Sequence, residues 1–417
     1  MKRRGGIFFE GSYYAYADLQ SDIFDLKPAF AKGSSVYLKN PSALEFLACV
    51  LSLGDHLGNL YLIPDGVKVE VKANEGRNWY GEGDFTREHL TFSPLHQRIE
   101  SRIKPQPEVS SNLVIYSSGT SGPPKPISHK LNALISQYTY QKDSTSNLTW
   151  GLTFQPQRMS GIQVLLNAYS REENVVCTLN DANLETRVAE FHTHGVTAIS
   201  ATPSYIQLLS ATRDFKNLKL QQITLGGEIV NQKLLDKLHN TFPAARITHI
   251  YASSEIGFGF SVSDLKSGFP EEFLEKDFGR FRLRSIQGEL AIEFADKENP
   301  TNQEIFFTGD LVAINNQRVQ FSGRRTSIVN VGGHKVSPEE VEQVILSLEG
   351  IQKVLVFGVK SSQLGEILIA KAVTDGKLSG QEIRIELKNL LPSYKIPASV
   401  EVVTEIKLNS TGKISRL

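Results

Sequence analysis

Between residues 113 and 251 the chain alternates short β-rich runs with longer stretches of helical periodicity, and this alternation restricts its fold more than any other feature. Apolar residues repeat at helical spacing in Leu184–Phe191 and Leu234–Phe242. Such alternation predicts an α/β fold with doubly wound parallel sheets, whose ligands bind in the loops that follow the carboxyl ends of strands. The β-rich runs are Leu113–Tyr116, Thr149–Phe154, Asn174–Cys177, Val196–Ser200, Gln222–Leu225 and Arg246–Tyr251.

The rest of the chain follows two other patterns. Phe260–Phe321 predicts a β-rich subdomain of mainly antiparallel strands. After Arg324, Ser337 is a predicted helix N-cap with Pro338 at the first helical position and Glu340 completing a capping box. We therefore expect a large N-terminal domain over residues 1–323 and a small, mobile α+β C-terminal domain over residues 324–417. Its further predicted elements are the strands Val354–Val359 and Ile367–Val373 and a helix near Gln381–Leu391.

The composition excludes several classes of protein. Lys plus Arg and Asp plus Glu both number 45, and this balance argues against a dedicated nucleic-acid-binding protein. No apolar run approaches the ~20 residues that span a bilayer, and no signal-peptide core follows the basic N-terminus. Cys49 and Cys177 lie too far apart in sequence to suggest a disulfide framework or a metal site. We expect a cytoplasmic protein.

A loop rich in small and hydroxyl residues follows the strand Leu113–Tyr116. Its backbone amides and hydroxyls can converge on an anion, and Lys125 adds a positive charge. The loop is not a Walker A motif, because Lys125 is flanked by prolines instead of preceding Ser or Thr. The residues predicted to bind phosphate are Ser117, Ser118, Gly119, Thr120, Ser121, Gly122 and Lys125.

This loop and five later motifs, in the same order, resemble those of the adenylate-forming superfamily, which includes acyl- and aryl-CoA synthetases. One motif alone would be weak, whereas six in order over Ser117–Arg416 are specific. The later motifs are Gly226-Gly227-Glu228, Tyr251-Ala252-Ser253-Ser254-Glu255, Phe307-Thr308-Gly309-Asp310, Gly323-Arg324 with Gly332-Gly333-His334-Lys335-Val336, and Gly412-Lys413-Ile414-Ser415-Arg416.

The resemblance implies ATP-dependent activation of a small carboxylic acid as an acyl-adenylate, with release of pyrophosphate. It makes Lys413 the catalytic lysine and Glu255 a catalytic residue that holds Mg²⁺. Asp310 and Arg324 are expected to contact ribose, and Tyr251 is expected to stack on adenine. The remaining residues assigned to ATP or AMP are Gly227, Glu228 and Ser254.

The resemblance also implies thioester formation after rotation of the C-terminal domain, with coenzyme A as the first choice of acceptor. The alternative acceptor is the phosphopantetheine of a separate acyl carrier protein, and a third possibility is a degenerate nucleotide-binding relative without turnover. The predicted thiol channel is Gly332, Gly333, His334 and Lys335. The predicted acid pocket is Arg158, Met159, Tyr205, Gly226, Ala252, Ser253 and Phe258.

The sequence departs from the family pattern in four places. Only 116 residues precede the phosphate loop, so we expect an abbreviated first subdomain. Ser327 stands where relatives have the hinge Asp or Lys, and Asn330 replaces a frequent lysine. Arg158 takes the place of an aromatic residue or His. The absence of Asp from the loop between Leu152 and Gly161 makes an amino-acid substrate less favoured than an aryl, fatty or other acid.

Overall fold

The structure is a computed structural model of the chain. It describes residues 5–9, 11–16, 19, 35–39, 41–53, 57–64, 77–80, 111–116, 125–139, 147–178, 182–253, 257–279, 281–294, 304–361, 365–407 and 413–414.

The strands are β1 (Gly6–Phe9), β2 (Ser12–Ala15), β3 (Ser35–Lys39), β4 (Asn59–Ile63), β5 (Arg77–Tyr80), β6 (Asn112–Tyr116), β7 (Pro126–Lys130), β8 (Thr149–Leu152), β9 (Asn174–Cys177), β10 (Ala198–Ala201), β11 (Gln222–Gly226), β12 (Arg246–Ser253), β13 (Gly257–Val262), β14 (Phe269–Pro270), β15 (Phe281–Ile286), β16 (Glu289–Phe294), β17 (Glu304–Asn315), β18 (Arg318–Arg324), β19 (Val329–Val331), β20 (His334–Val336), β21 (Ile351–Ser361), β22 (Gly365–Thr374) and β23 (Ser399–Val402). The α-helices are α1 (Ala43–Leu53), α2 (Leu131–Thr139), α3 (Met159–Ser170), α4 (Leu184–Thr193), α5 (Pro203–Leu209), α6 (Gln232–Thr241), α7 (Pro338–Ser347) and α8 (Gly380–Leu387).

The chain divides into two compact units. The first comprises residues 1–201, 206–225 and 242–261, and the second comprises 202–205, 226–241 and 262–417. The second unit therefore contains both the C-terminal third of the chain and two short segments from the α/β region. Its sequence-distant parts, including the segment around Lys413, pack into one body.

The first unit contains two mixed sheets. One has the order β13-β12-β11-β10-β8-β9-β1-β2, and the other has the order β5-β3-β4-β6-β7. The pairs β8–β9, β8–β10 and β10–β11 are parallel, as the alternating pattern predicts. A shared core of buried residues joins the two sheets, with Val36 and Leu113 from one and Trp150 and Val175 from the other. The prediction of an α/β fold is confirmed.

The second unit contains two further sheets. The antiparallel sheet β14-β18-β17-β16-β15 confirms the predicted β-rich region. The other sheet has the order β20-β19-β22-β21, with β23 parallel to β22, and packs with α7 and α8 around Val341, Ile345 and Val356. This is the α+β arrangement predicted after Arg324.

Helix caps agree only partly with the sequence. Ser337 accepts a hydrogen bond from the Glu340 amide and Pro338 is the first residue of α7, both as predicted. The Glu340 carboxylate does not complete a reciprocal capping box there, because it accepts a hydrogen bond from Lys395. Before α8, Ser379 and Glu382 form the reciprocal box. A long-range partner has taken the carboxylate that the local pattern assigned to the cap.

Strand ends also differ from the predicted limits. The predicted strand Thr149–Phe154 ends at Leu152, and the predicted strand Arg246–Tyr251 continues to Ser253. Tyr251, Ala252 and Ser253 therefore belong to β12 and not to the loop after it. No helix in the described ranges is both long and apolar enough to cross a membrane.

Candidate active site

Within β17 the backbone leaves its regular pairing with β16 next to Asp310, and this internal turn is held by a network of hydrogen bonds. Gly309 adopts a φ of 77°, a left-handed conformation that glycine reaches without strain. Its amide donates to Glu289 Oε1 at 2.9 Å, and the Asp310 amide donates to Thr308 Oγ1 at 3.1 Å. Thr308 Oγ1 in turn donates to the Leu290 carbonyl at 2.7 Å. The network explains the Thr-Gly-Asp pattern and fixes the Asp310 backbone.

Asp310 and Arg324 face each other across the pair β17–β18. Arg324 Nε donates to Asp310 Oδ1 at 2.8 Å. The Arg324 side chain is 53% exposed and that of Asp310 is 13% exposed. The next residue, Arg325, forms an ion pair with Glu289. The structure thus separates two adjacent arginines that the sequence alone could confuse.

A second turn follows β11 and carries Gly227 and Glu228. Gly227 has a φ of 82° and is exposed. Glu228 Oε2 accepts a hydrogen bond from the Ser204 amide at 2.9 Å, in the first turn of α5. Thr202 Oγ1 accepts from the Tyr205 amide at 3.1 Å. The start of α5 is therefore tied to both the Glu228 carboxylate and the Thr202 hydroxyl.

Lys413 lies against this second turn. A Cβ atom placed on Gly227 would be 3.2 Å from Lys413 Cε and 3.6 Å from its Nζ. The amide of the next residue, Ile414, donates to Glu228 Oε1 at 3.2 Å. A residue near the end of the chain is thus held beside a turn 186 positions earlier.

Burial is the main influence on the Lys413 ammonium. It lowers the pKa of Lys413, because the charged form loses solvation. The carboxylates of Glu228 and Asp310 oppose this effect, and the guanidinium of Arg324 adds to it. The second unit therefore brings together Gly227, Glu228, Asp310, Arg324 and Lys413.

In the first unit, Arg158 is half-buried at the N-cap of α3. Its Nη1 donates to the Tyr116 carbonyl, the last residue of β6, at 3.2 Å. Its Nε is buried and has no hydrogen-bond partner in the described part of the chain. Burial lowers the pKa of Arg158, although a guanidinium stays charged at neutral pH. Arg158 is therefore held against the end of β6 and is not a fully solvated surface side chain.

The other predicted residues of the first unit lie in or beside strands, except Met159, which begins α3. Lys125 is exposed immediately before β7. The ring of Tyr251 stacks on Phe260, with centroids 5.4 Å apart and planes 16° from parallel. Met159 is buried as the first residue of α3, where it is part of the core. Ala252 and Ser253 end β12, and the backbone of Phe258 lies in β13.

The predicted thiol-channel residues form a tight hairpin. Gly332 and Gly333 connect β19 to β20 with φ angles of 56° and 88°, as a two-residue turn with two left-handed positions requires. A Cβ on either glycine would meet no atom of the described residues within 4 Å. The His334 ring stacks on Tyr394 at 4.2 Å, and Lys335 is exposed. Backbone conformation, and not close approach of another group, accounts for the two glycines here.

Several predicted residues lie outside the described residues: Ser117, Ser118, Gly119, Thr120, Ser121, Gly122, Ser254 and Glu255. Within the described ranges, no group of three His, Cys, Asp or Glu residues could hold a metal ion.

Sequence reasoning missed three residues that support the site. Thr202 and Ser204 flank Pro203, and a Thr-Pro pair after a β-run is a recognisable helix start. Glu289 gave no such signal, because Gly288-Glu289 reads as an ordinary surface turn. In the structure Glu289 is 1% exposed and joins the Asp310 turn to Arg325.

Comparison with known proteins identifies relatives among the AMP-binding enzymes. A family model described as AMP-binding enzyme matches residues 66–277, and one described as AMP-binding enzyme C-terminal domain matches residues 340–413. The chain is 40% identical over 202 residues to a 3,4-dihydroxybenzoate–[aryl-carrier protein] ligase of Bacillus anthracis, covering 48% of this chain and 46% of that protein. The chain thus spans less than half the length of that relative.

A 2-succinylbenzoate–CoA ligase of Staphylococcus epidermidis is 22% identical over 73% of this chain and 68% of its own length. Two solved structures share the fold over 99% of this chain and 94% of theirs. They are o-succinylbenzoate CoA synthetase from Bacillus subtilis with its acyl-adenylate intermediate, with a TM-score of 0.67 and 19% identity, and ATP-bound MatB from Rhodopseudomonas palustris, with a TM-score of 0.70 and 14% identity.

The order of the motifs, the parallel sheets and the matches to both family models agree, and the chain belongs to the AMP-binding, adenylate-forming enzyme family.

Proposed function

We propose that this protein activates an aryl carboxylic acid with ATP as an acyl-adenylate and then transfers the acyl group to a pantetheine thiol. The observation that carries the proposal is the position of Lys413, whose half-buried ammonium faces Asp310 and Glu228 within one unit. Attack of a carboxylate on the α-phosphate brings two anions together. A cation aimed at the developing charge lowers that barrier.

The other residues have supporting roles in this proposal. Asp310 accepts hydrogen bonds from the ribose hydroxyls, and its ion pair with Arg324 orients the carboxylate. Lys125 and the loop before it hold the phosphates. Mg²⁺ neutralises phosphate charge in such reactions, and a carboxylate such as Glu255 suits this hard cation.

Lys413→Ala tests the first half-reaction. We expect acid-dependent pyrophosphate release to fall by roughly 10²–10³, because the transition state loses its cation. Transfer of the acyl group from pre-formed acyl-adenylate to a thiol should change much less. Lys407→Ala is the matched control, because Lys407 is an exposed lysine near the same end of the chain. Equal damage to both half-reactions would contradict the proposed role.

The acid is tested with a pyrophosphate-exchange screen across aryl, fatty and amino acids. The 40% identical relative acts, by its name, on an aryl acid, and this favours an aryl substrate here. The proposal predicts the highest exchange with aryl acids. Exchange with amino acids alone would refute the proposed substrate class, and absence of exchange with every acid would refute adenylation.

The acceptor has two candidates. The motifs alone favoured coenzyme A, and the 2-succinylbenzoate–CoA ligase supports that choice. The more similar relative is named as a carrier-protein ligase, and we therefore now prefer the phosphopantetheine of a separate carrier protein. Parallel assays with coenzyme A and with a holo aryl carrier protein distinguish them. Faster thioester formation with coenzyme A would reverse our preference.

A further inference from the structure

The carboxylate of Glu228 connects two segments that are far apart in sequence. One oxygen accepts the Ser204 amide at 2.9 Å, and the other accepts the Ile414 amide at 3.2 Å. The sequence motif suggests that Glu228 contacts the nucleotide, yet both oxygens are used by protein backbone in this structure. This geometry indicates a role in positioning the segment that carries the catalytic lysine.

The contact with Ile414 controls Lys413 because the two residues are adjacent. Fixing the Ile414 amide restricts the position of the Lys413 backbone and hence the reach of its ammonium. Gly227 completes the arrangement from the other side. Its φ of 82° excludes most side chains, and a Cβ there would press on Lys413 Cε at 3.2 Å. Gly227 and Glu228 thus form the surface against which Lys413 lies.

The second oxygen of the Glu228 carboxylate is bonded to a buried part of the chain. Ser204, in the first turn of α5, is 8% exposed, and Thr202, just before the helix, is 1% exposed. The bond from Ser204 keeps the Glu228 carboxylate in place when the lysine segment moves away. Of the two hydrogen bonds of the Glu228 carboxylate, the one to Ile414 would break when the C-terminal domain rotates for thiol transfer. One hydrogen bond is weak enough to break in each cycle.

Charged groups of both signs lie around Glu228 and Lys413. Glu228 faces Lys413 and also Lys353, which is half-buried in β21 and has Glu405 as a second carboxylate neighbour. Lys413 additionally faces Asp310 and Arg324. Removing the Glu228 charge removes one of the two carboxylates that favour the Lys413 ammonium. The pKa of Lys413 should then fall further.

We propose that Glu228 is a positioning residue that latches the Lys413–Ile414 segment in the adenylating position and releases it before thiol transfer. This inference rests on the proposed function, because it assigns Lys413 to the first half-reaction. It adds a reversible contact, outside the reacting atoms, that controls when the lysine is in place.

The first test compares half-reactions in Glu228→Gln and Glu228→Asp. The Gln side chain keeps one acceptor oxygen but lacks the charge, and the Asp side chain keeps the charge but is too short to reach both amides. We expect Glu228→Gln to lower kcat for pyrophosphate release roughly 10- to 100-fold, as misplacement of a catalytic group does. Thiol transfer from pre-formed acyl-adenylate should stay within about twofold of wild type. A raised KM for ATP with unchanged kcat would show a nucleotide contact instead and overturn the latch.

The second test is the pH profile of pyrophosphate release. Activity requires the Lys413 ammonium and falls as pH rises through its pKa. In Glu228→Gln that alkaline limb should move to lower pH, and in Glu228→Asp it should stay closer to wild type. Lys233→Met is the control for general loosening, because Lys233 Nζ donates to the Leu348 carbonyl after α7 at 2.9 Å without facing Lys413. An equal shift in Lys233→Met would overturn the proposal.

The third test does not depend on turnover. Hydrogen exchange measured on the C-terminal peptide should be faster in Glu228→Gln than in wild type, because the variant leaves one neutral acceptor oxygen for the two amides of Ser204 and Ile414. Glu386→Gln, an exposed glutamate on α8, should leave the exchange unchanged. Equal exchange in wild type and Glu228→Gln would refute the latch even if adenylation itself is confirmed. Faster exchange in a protein without adenylation would support the contact and refute the proposed function alone.

Discussion

Asp310→Ala offers the sharpest separation between nucleotide recognition and fold stability. Asp310 is 9% exposed, and its turn is held by the bonds of Thr308 and Gly309. In the proposed complex its carboxylate accepts two ribose hydroxyls. Hydrogen bonds to a charged group contribute about 1.5–3 kcal/mol, which corresponds to a roughly 10- to 150-fold weaker ATP complex after the substitution.

The loss of the ion pair with Arg324 should contribute much less. The Arg324 side chain is 53% exposed, and solvent screens such pairs to about 1 kcal/mol or below. The hydrogen bonds of Thr308 and of the Gly309 amide that hold the turn do not involve the Asp310 side chain. The free energy of unfolding should therefore change by less than the free energy of ATP binding, and comparing the two changes decides between a ligand role and a structural role.

The assay titrates ATP and 2′,3′-dideoxy-ATP against wild type and Asp310→Ala. Wild type should prefer ATP, and the variant should lose most of that preference while retaining acid binding. Asp277→Ala is the matched control, since Asp277 also pairs with an arginine, Arg282, at 3.1 Å, in an exposed part of the same unit. If Asp310→Ala discriminates between the two nucleotides as strongly as wild type, Asp310 is not the ribose ligand.

Three further outcomes follow from the structure. Arg158→Met should lower the activity with dicarboxylic acids relative to that with matched monocarboxylic acids, because a half-buried guanidinium favours an anionic group on the substrate. An unchanged ratio of the two activities would remove Arg158 from the predicted acid pocket. Gly323→Ala should lower the free energy of unfolding, measured in urea, by about 2–4 kcal/mol. The φ of Gly323 is 130°, and a Cβ atom at this position would lie 2.0 Å from Ser337 Oγ. An unchanged midpoint of urea unfolding would contradict this packing. Burial raises the pKa of Cys49 and of Cys177 to about 12. Neither cysteine should therefore react with a thiol reagent at pH 8 until the protein is denatured, and labelling of the native protein would contradict their burial.

Local patterns anticipated most of the fold. The strand runs and the helix α4 lie within a few residues of their predicted limits, because alternation and helical periodicity depend on neighbouring residues. The glycines of the Gly332-Gly333 pair and Gly309 could also be read from sequence, since positive φ is a local demand. Where a predicted limit was wrong, as at Tyr251 in β12, pairing with neighbouring strands extended the element beyond its own pattern.

The sequence by itself therefore determined the family, the α/β class and the residue types of the site. Only the tertiary structure decided how those residues are paired. It places Arg324 on Asp310 and Arg325 on Glu289, because the register of β17 with β18 is set by long-range pairing. It also joins Glu228 to Ser204 and Ile414, which are 24 and 186 positions away. Local propensities carry no information about contacts over such separations, which arise only when distant elements pack together.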